Sequence, residues 1–195
     1  ASSTFLPGDF AIIGINTSWQ VGGSADEISF VIFKDMPSGT VISLTDQGYE
    51  RNTSGLWGAT EGVILLTRTG GPLPAGTVIT VRGTRMISAS NYDNLTMEIR
   101  SCTSGAFVTA AIPTEWTITV PTGTPVYSLT NFDLNSTDQV WFGQGGNWTR
   151  TGNSSSDNST FTGNVLFGWS GIDWKTNIGT TPTTWTTSGS RLFPK

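Results

Sequence analysis

Chemistry in this chain falls to carboxylates, hydroxyls, amides and indoles, because its 195 residues include no histidine and a single cysteine. Without imidazole there is no Ser-His-Asp or Cys-His relay, and the commonest zinc ligand is missing. Paired acids are the remaining route to hydrolysis, as at a glycosidic bond, but nothing in the spacing of Glu50, Glu61, Glu98, Glu115 and the aspartates brings two of them together. Asp133, Asn135 and Asp138 are closely spaced oxygen donors. Their spacing departs from the calcium-loop pattern Asp-x-Asp/Asn-x-Asp/Asn-Gly, and a turn held by side-chain-to-backbone hydrogen bonds accounts for them better. Gly143-Gln144-Gly145-Gly146 does not open onto a helix, and no Gly-rich loop runs into Lys-Ser/Thr, so no phosphate cradle is expected. The chain reads as a non-enzyme, with no catalytic residue, no cofactor and no metal site.

Amides and indoles carry the remaining signals. Asn-x-Ser/Thr occurs at Asn16, Asn52, Asn94, Asn135, Asn147, Asn153 and Asn158. A glycan-bearing asparagine needs an exposed loop or strand edge, so these positions are expected at the surface, with covalent glycans as partners. Trp19, Trp57, Trp141, Trp148, Trp169, Trp174 and Trp185 lie near Gly, Asn or Thr, where an exposed indole can stack on a sugar ring or pack under a glycan, while buried core indoles are expected to account for more than half of the tryptophans. Trp116 and Trp141 sit within strand-like sequence and are the best core candidates. Cys102 has no intrachain partner and is expected as a small buried hydrophobe.

The elements that position these groups are strands. Charged residues make up 12% of the chain and aromatics 11%, with Gly, Ser and Thr abundant, a profile that suits an all-β extracellular protein. A net charge of −4 with ten scattered basic residues argues against nucleic acid. No apolar run approaches the ~20 residues of a bilayer span. The opening Ala1-Ser2-Ser3-Thr4 is of the kind that signal-peptidase cleavage leaves, which points to export. At 36% hydrophobic, residues 1–195 suffice for one well-filled core, and a single domain is expected.

Short apolar segments separated by turn clusters predict strands at Asp9-Ile15, Ile28-Lys34, Thr40-Thr45, Gly62-Thr67, Thr77-Arg82, Thr96-Ile99, Trp116-Val120, Val126-Leu129, Gln139-Gly143 and Asn164-Trp169. Pro37-Ser38-Gly39-Thr40-Val41-Ile42 is echoed by Pro74-Ala75-Gly76-Thr77-Val78-Ile79 and more loosely by Pro121-Thr122-Gly123-Thr124. Each copy predicts a turn that launches a strand, with Pro at the second turn position. Phe10-Ile15 and Ile28-Phe33 lack polar alternation, which predicts strands that sit centrally in a sheet or have one face meeting another layer or subunit; for Phe10-Ile15 both an ordinary internal strand and an intersubunit strand are open. Residues 147–163 are mostly Ser, Thr, Asn, Gly and Asp and read as an exposed loop or hairpin tip. Such frequent strands with Gly/Pro punctuation predict a β-sandwich.

Gly8-Asp9-Phe10-Ala11-Ile12-Ile13-Gly14-Ile15-Asn16 resembles the opening of lamin-tail-like β-sandwich modules of secreted and surface proteins. Phe30 to Ile42, Leu44-Thr45-Asp46-Gln47-Gly48-Tyr49, Glu61-Gly62, Pro74 to Ile79 and Ser136-Thr137-Asp138-Gln139-Val140 look like later motifs of the same family, in order. The likeness spans about residues 8–145. Thr137 stands where such modules often have Gly, and the region after Asn147 has no counterpart. The resemblance implies a two-sheet antiparallel β-sandwich of immunoglobulin-like type and an extracellular setting. It supplies no catalytic residues.

Taken together, these features predict a secreted structural subunit of a filament or surface layer that self-associates into a polymer. The expected mechanism is strand addition, in which the Ala1-Ile15 arm, with Phe5, Leu6, Phe10, Ile12, Ile13 and Ile15, completes the sheet of the next subunit. The alternative is a carbohydrate-binding module with exposed platforms such as Trp148 and Trp174. A carboxylate-based hydrolase ranks third.

Overall fold

Runs rich in β-branched and aromatic residues between Gly and Pro give strands throughout the computed structural model, and no helix occurs among the described residues. Those residues are 4–16, 26–50, 56–59, 61–84, 94–100, 107–110, 114–122, 138–152 and 157–170. The strands in order are β1 (Phe10–Asn16), β2 (Asp26–Ile32), β3 (Val41–Thr45), β4 (Tyr49–Glu50), β5 (Leu56–Trp57), β6 (Val63–Arg68), β7 (Val78–Thr84), β8 (Asn94–Arg100), β9 (Phe107–Ala110), β10 (Trp116–Thr119), β11 (Gln139–Gln144), β12 (Trp148–Arg150), β13 (Ser159–Phe161) and β14 (Asn164–Ser170). Nine of the ten expected strands are present, each boundary within two residues of its prediction; Val126-Leu129 lies outside the described residues.

Two five-stranded sheets, ordered β1-β2-β7-β8-β9 and β10-β6-β3-β11-β14, pack as a sandwich. Their shared core takes Phe10, Ile28, Phe30, Ile32, Ile79 and Val81 from the first sheet and Ile42, Leu44, Ile64, Leu66, Trp116, Val140, Phe142 and Leu166 from the second. Phe30 joins the layers, with ring centroids 4.9 Å from Phe10 and 4.6 Å from Phe142. Trp116 is buried here as expected. On the opposite face of the first sheet, the hydroxyls of Ser29 and Thr80 pair at 2.8 Å.

The echoed turns are near-identical in structure. Thr40 N–H and Oγ1–H both donate to the Pro37 carbonyl, at 3.3 and 2.7 Å, and Thr77 does the same to Pro74, at 3.2 and 2.6 Å. Gly39 and Gly76 hold φ of 84° and 85°, as the third position of such a turn demands. Pro occupies the first turn position rather than the second. Each turn leads into a strand, β3 or β7, and the residues just before them, Met36 and Leu73, bridge to each other.

The uniform apolar run of β1 has a local cause. Ile12 lies opposite Phe30 and Gly14 opposite Ser29, so Ile13 is an extra, bulged residue and is 56% exposed. A bulge shifts the side-chain alternation by one, which lets Phe10, Ile12 and Ile15 all pack on the core side despite their odd spacing. β2 alternates more than its composition suggests, with Ile28, Phe30 and Ile32 buried and the following Phe33 57% exposed.

A third, four-stranded sheet, β12-β13-β5-β4, was not anticipated and covers the outer face of the second sheet. Tyr49, Trp57 and Trp148 meet Val63 and Trp141 there in a second core, while the neighbouring Ile64, Val140 and Phe142 face the first. Strands β6 and β11 are therefore the ones apolar on both faces, rather than β1 and β2. Trp141 is buried as expected, but in this outer core. Residues 147–163 contain β12 and β13, the two arms of a hairpin, so this segment carries buried side chains as well as a polar tip.

One bent ribbon builds that arrangement. β11 pairs with β14 up to Gln144 opposite Asn164, and the same two arms continue as β12 and β13 with Trp148 opposite Phe161. Between these ladders Gly145 and Gly146 hold φ of 69° and 61°. A Cβ on Gly146 would strike the Gly163 backbone, and one on Gly143 would meet the Phe161 ring at 2.7 Å. The ribbon thus folds back onto its own outer face. Gly146→Ala is expected to destabilise the fold by about 3 kcal/mol, combining left-handed strain with the collision. Gly145→Ala, with open space around its Cβ, should cost about 1 kcal/mol. Urea denaturation of the two variants measures the difference.

Candidate functional site

The edge strand β1 and the segment before it contain every residue expected to mediate assembly. Phe5 and Phe10 are buried in the chain's own core, their rings edge to face at 5.3 Å. Ile12 and Ile15 pack partly against the same core. Leu6 and Ile13 point outward, 58% and 56% exposed. The segment is tied down along its length: Phe5 N–H donates to Gln144 Oε1 at 2.6 Å, Leu6 N–H to Asp9 Oδ2 at 2.9 Å, and Lys34 Nζ to the Thr4 carbonyl at 2.9 Å. In this structure β1 pairs with β2 of the same chain. What the arm offers outward is the edge of β1, which among the described residues pairs with β2 alone. Phe33, whose N–H donates to the Asp9 carbonyl at 2.8 Å, adds a third exposed apolar group at the start of that edge.

The inside of the ribbon's bend forms a groove of about 540 Å³, walled by Val41, Leu65, Pro121 and Trp148 with Ser43 and Thr149, and no charged side chain lines it. Trp148 is not the exposed indole that its polar neighbours suggest. It is 5% exposed, stacked on Phe161 at 4.6 Å and 17°, and set edge-on to Trp57 at 5.1 Å. Trp57 is buried too, and Trp169 packs half-buried against the first core. Trp19, Trp174 and Trp185 lie outside the described residues, as does Cys102.

Acids and amides serve the fold. Asp46 Oδ1 accepts the Gly62 N–H at 2.8 Å, Thr45 Oγ1–H donates to the Gly62 carbonyl at 2.5 Å, and Gln47 Nε2–H donates to the Glu61 carbonyl at 2.6 Å. Gln139 Oε1 accepts both Tyr49 N–H and Trp141 Nε1–H, each at 2.9 Å. Asp46 and Asp138 are both buried. Buried amides and carboxylates of this kind satisfy backbone donors where strands of different sheets converge. Among the described residues no three potential metal ligands cluster; Asp133 and Asn135 lie outside them. Arg68, buried beside Trp116 at 5.4 Å, donates to the Gly71 and Glu115 carbonyls at 2.8 and 3.2 Å. Burial lowers its pKa and the Glu115 carboxylate raises it. No helix of the described residues is long and apolar enough to cross a membrane.

Of the asparagine triplets, Asn16 is exposed at the end of β1 and Asn147 is exposed at the ribbon's bend. Asn158 is half-buried at the hairpin tip, with its N–H bonded to Thr151 Oγ1 at 3.1 Å. Thr149 and Thr160, the third residues of the triplets at Asn147 and Asn158, share a 2.6 Å hydroxyl hydrogen bond. Asn94 opens β8, and Asn52, Asn135 and Asn153 lie outside the described residues.

No family model, no curated protein and no solved structure matches this chain.

Gln139 is the residue here that sequence reading passed over except as part of a motif. Gln139→Met removes the acceptor shared by two buried donors and is expected to lower stability by about 3 kcal/mol. Loss of the near-ultraviolet tryptophan signal at lower denaturant concentration would register it.

Proposed function

We propose that this chain is a secreted, N-glycosylated structural protein whose immunoglobulin-like sandwich assembles through strand edges into an extracellular filament or surface layer. One observation carries the reading: β1, a sheet-edge strand with no charged residue in Phe10–Asn16, has exposed Ile13 on it and exposed Leu6 and Phe33 beside its start. Natural edges are ordinarily defended by charge or proline, because their free N–H and C=O groups pair with any strand that arrives. The β1 bulge is a partial defence, and the nearby charges Asp9 and Lys34 stand at the start of the strand rather than along it. The scarcity of catalytic groups, the triplets at Asn16 and Asn147 and the lamin-tail-like motifs support the same reading.

Strand addition here uses the edge of a completed sheet, since Phe5 and Phe10 already fill their own core. Leu6, Ile13 and Phe33 are a little over half exposed, so burying the rest of each against a neighbour contributes ~1–1.5 kcal/mol, alongside the backbone ladder. Ile13 is the point of attack for a test, because as a bulged, outward residue it can carry a charge at little cost to the fold. Ile13→Lys is expected to raise the concentration needed for assembly at least tenfold while the melting temperature stays within a few degrees. Light scattering and negative-stain imaging of both proteins check this. A wild-type chain that stays monodisperse at every concentration, or a variant that polymerises as well as wild type, would overturn the proposal.

A further inference from the structure

The charges of the first sheet are placed in the reverse of the usual order. Asp26 and Glu27 lie on β2, Arg82 on β7, and Glu98 and Arg100 on β8. The terminal strands β1 (FAIIGIN) and β9 (FVTA) carry none. Inside the sheet the register sets Glu27 opposite Arg82, positions of opposite charge. A sheet meant to end in water keeps its charges on the rim. This one has two uncharged rims, and among the described residues β9 pairs with β8 alone.

Strand direction decides how two such rims can meet. All four neighbouring pairs, β1·β2, β2·β7, β7·β8 and β8·β9, are antiparallel. After four reversals β1 and β9 point the same way. If a second copy continues the sheet with the same face toward its core, its β1 must lie parallel to β9 of the first. Joining β1 to β1 across a two-fold axis would give an antiparallel pair, but it closes at two copies and leaves both β9 rims bare. Only the head-to-tail junction covers both uncharged strands with one type of contact.

Building on the self-association proposed above, we infer that the partner of β1 is β9 of another copy of this chain, in parallel register, so that the first sheet runs unbroken from subunit to subunit. The contact is heterologous and does not close, and growth is therefore linear and polar.

The test uses two full-length variants, each disabling one rim: Ile13→Lys at β1 and Thr109→Lys at β9. Thr109 stands opposite Glu98 in the register, so a lysine there has an acidic cross-strand partner and the fold should accept it. Circular dichroism confirms folding, and Ala110→Glu serves as the β9 variant should Thr109→Lys fail to fold. Each variant alone is expected to be monomeric by sedimentation. An equimolar mixture of the two should form heterodimers and stop there, because one live junction remains between them. Thr109→Lys added at equimolar amount to wild type should shorten polymers at least tenfold, since it joins an end and blocks it. A β9 variant that polymerises like wild type, or that dimerises by itself, overturns the β1-to-β9 junction while leaving edge assembly standing. A wild-type chain that never assembles overturns the functional reading itself, and the junction with it.

Discussion

The outer half of this molecule depends on the absence of side chains at a few backbone positions. A β-ribbon can double back over its own sheet only where two chains cross at less than the width of a methyl group, and Gly146 against Gly163 is that crossing. The space that Gly143 leaves receives Phe161, and Gly168 lies directly under the Trp141 ring. With those contacts in place Trp148 and Phe161 stack on one another and close over Trp57, Trp141 and Val63. The second sheet then becomes an interior layer, which is what permits apolar residues at successive positions of β6 and β11. Gln139 completes the join by giving one oxygen both to the Tyr49 backbone and to the Trp141 indole.

Much of the first sandwich could be read directly from residue types. Pro-x-Gly-Thr marked both strand-launching turns, and Trp116 and Trp141 were recognisable as core from their strand-like surroundings. The third sheet was not legible, because β4, β5, β12 and β13 have two or three residues each, too few to display a period of two. In Trp148-Thr149-Arg150 the burial does alternate, yet the flanking Ser, Thr and Asn outweigh it. Trp148 was misjudged for the same reason: its polar neighbours suggested an exposed indole, whereas its burial comes from residues such as Trp57, far away in sequence. The β1 arm was identified but its inner and outer residues could not be separated. Phe5, Leu6, Phe10 and Ile13 are equally apolar, and the bulge that turns Ile13 outward is a property of the pairing with β2.

Among the described residues the polar groups are turned to the fold. The acids and amides that might suggest turnover, Asp46, Gln47 and Gln139, are engaged with backbone groups. The groove at the bend is walled by uncharged residues, and its tryptophan is spent on packing. Among the described residues the first sheet ends in β1 and β9, two strands without charge, and its charges lie on the interior strands. Sheet order, which no local sequence pattern encodes, is what turns a low charge content into a spatial asymmetry.

The bond from Phe5 N–H to Gln144 Oε1 spans 139 positions of the chain. At a ribosomal pace of 5–20 residues per second, Gln144 emerges roughly 7–28 s after Phe5. Throughout that interval Phe5 N–H lacks this acceptor, and Phe142, which packs on Phe10 and Phe30, has yet to arrive. The amino-terminal latch is therefore a contact of high sequence separation, closed only once the chain through residue 144 is available to fold.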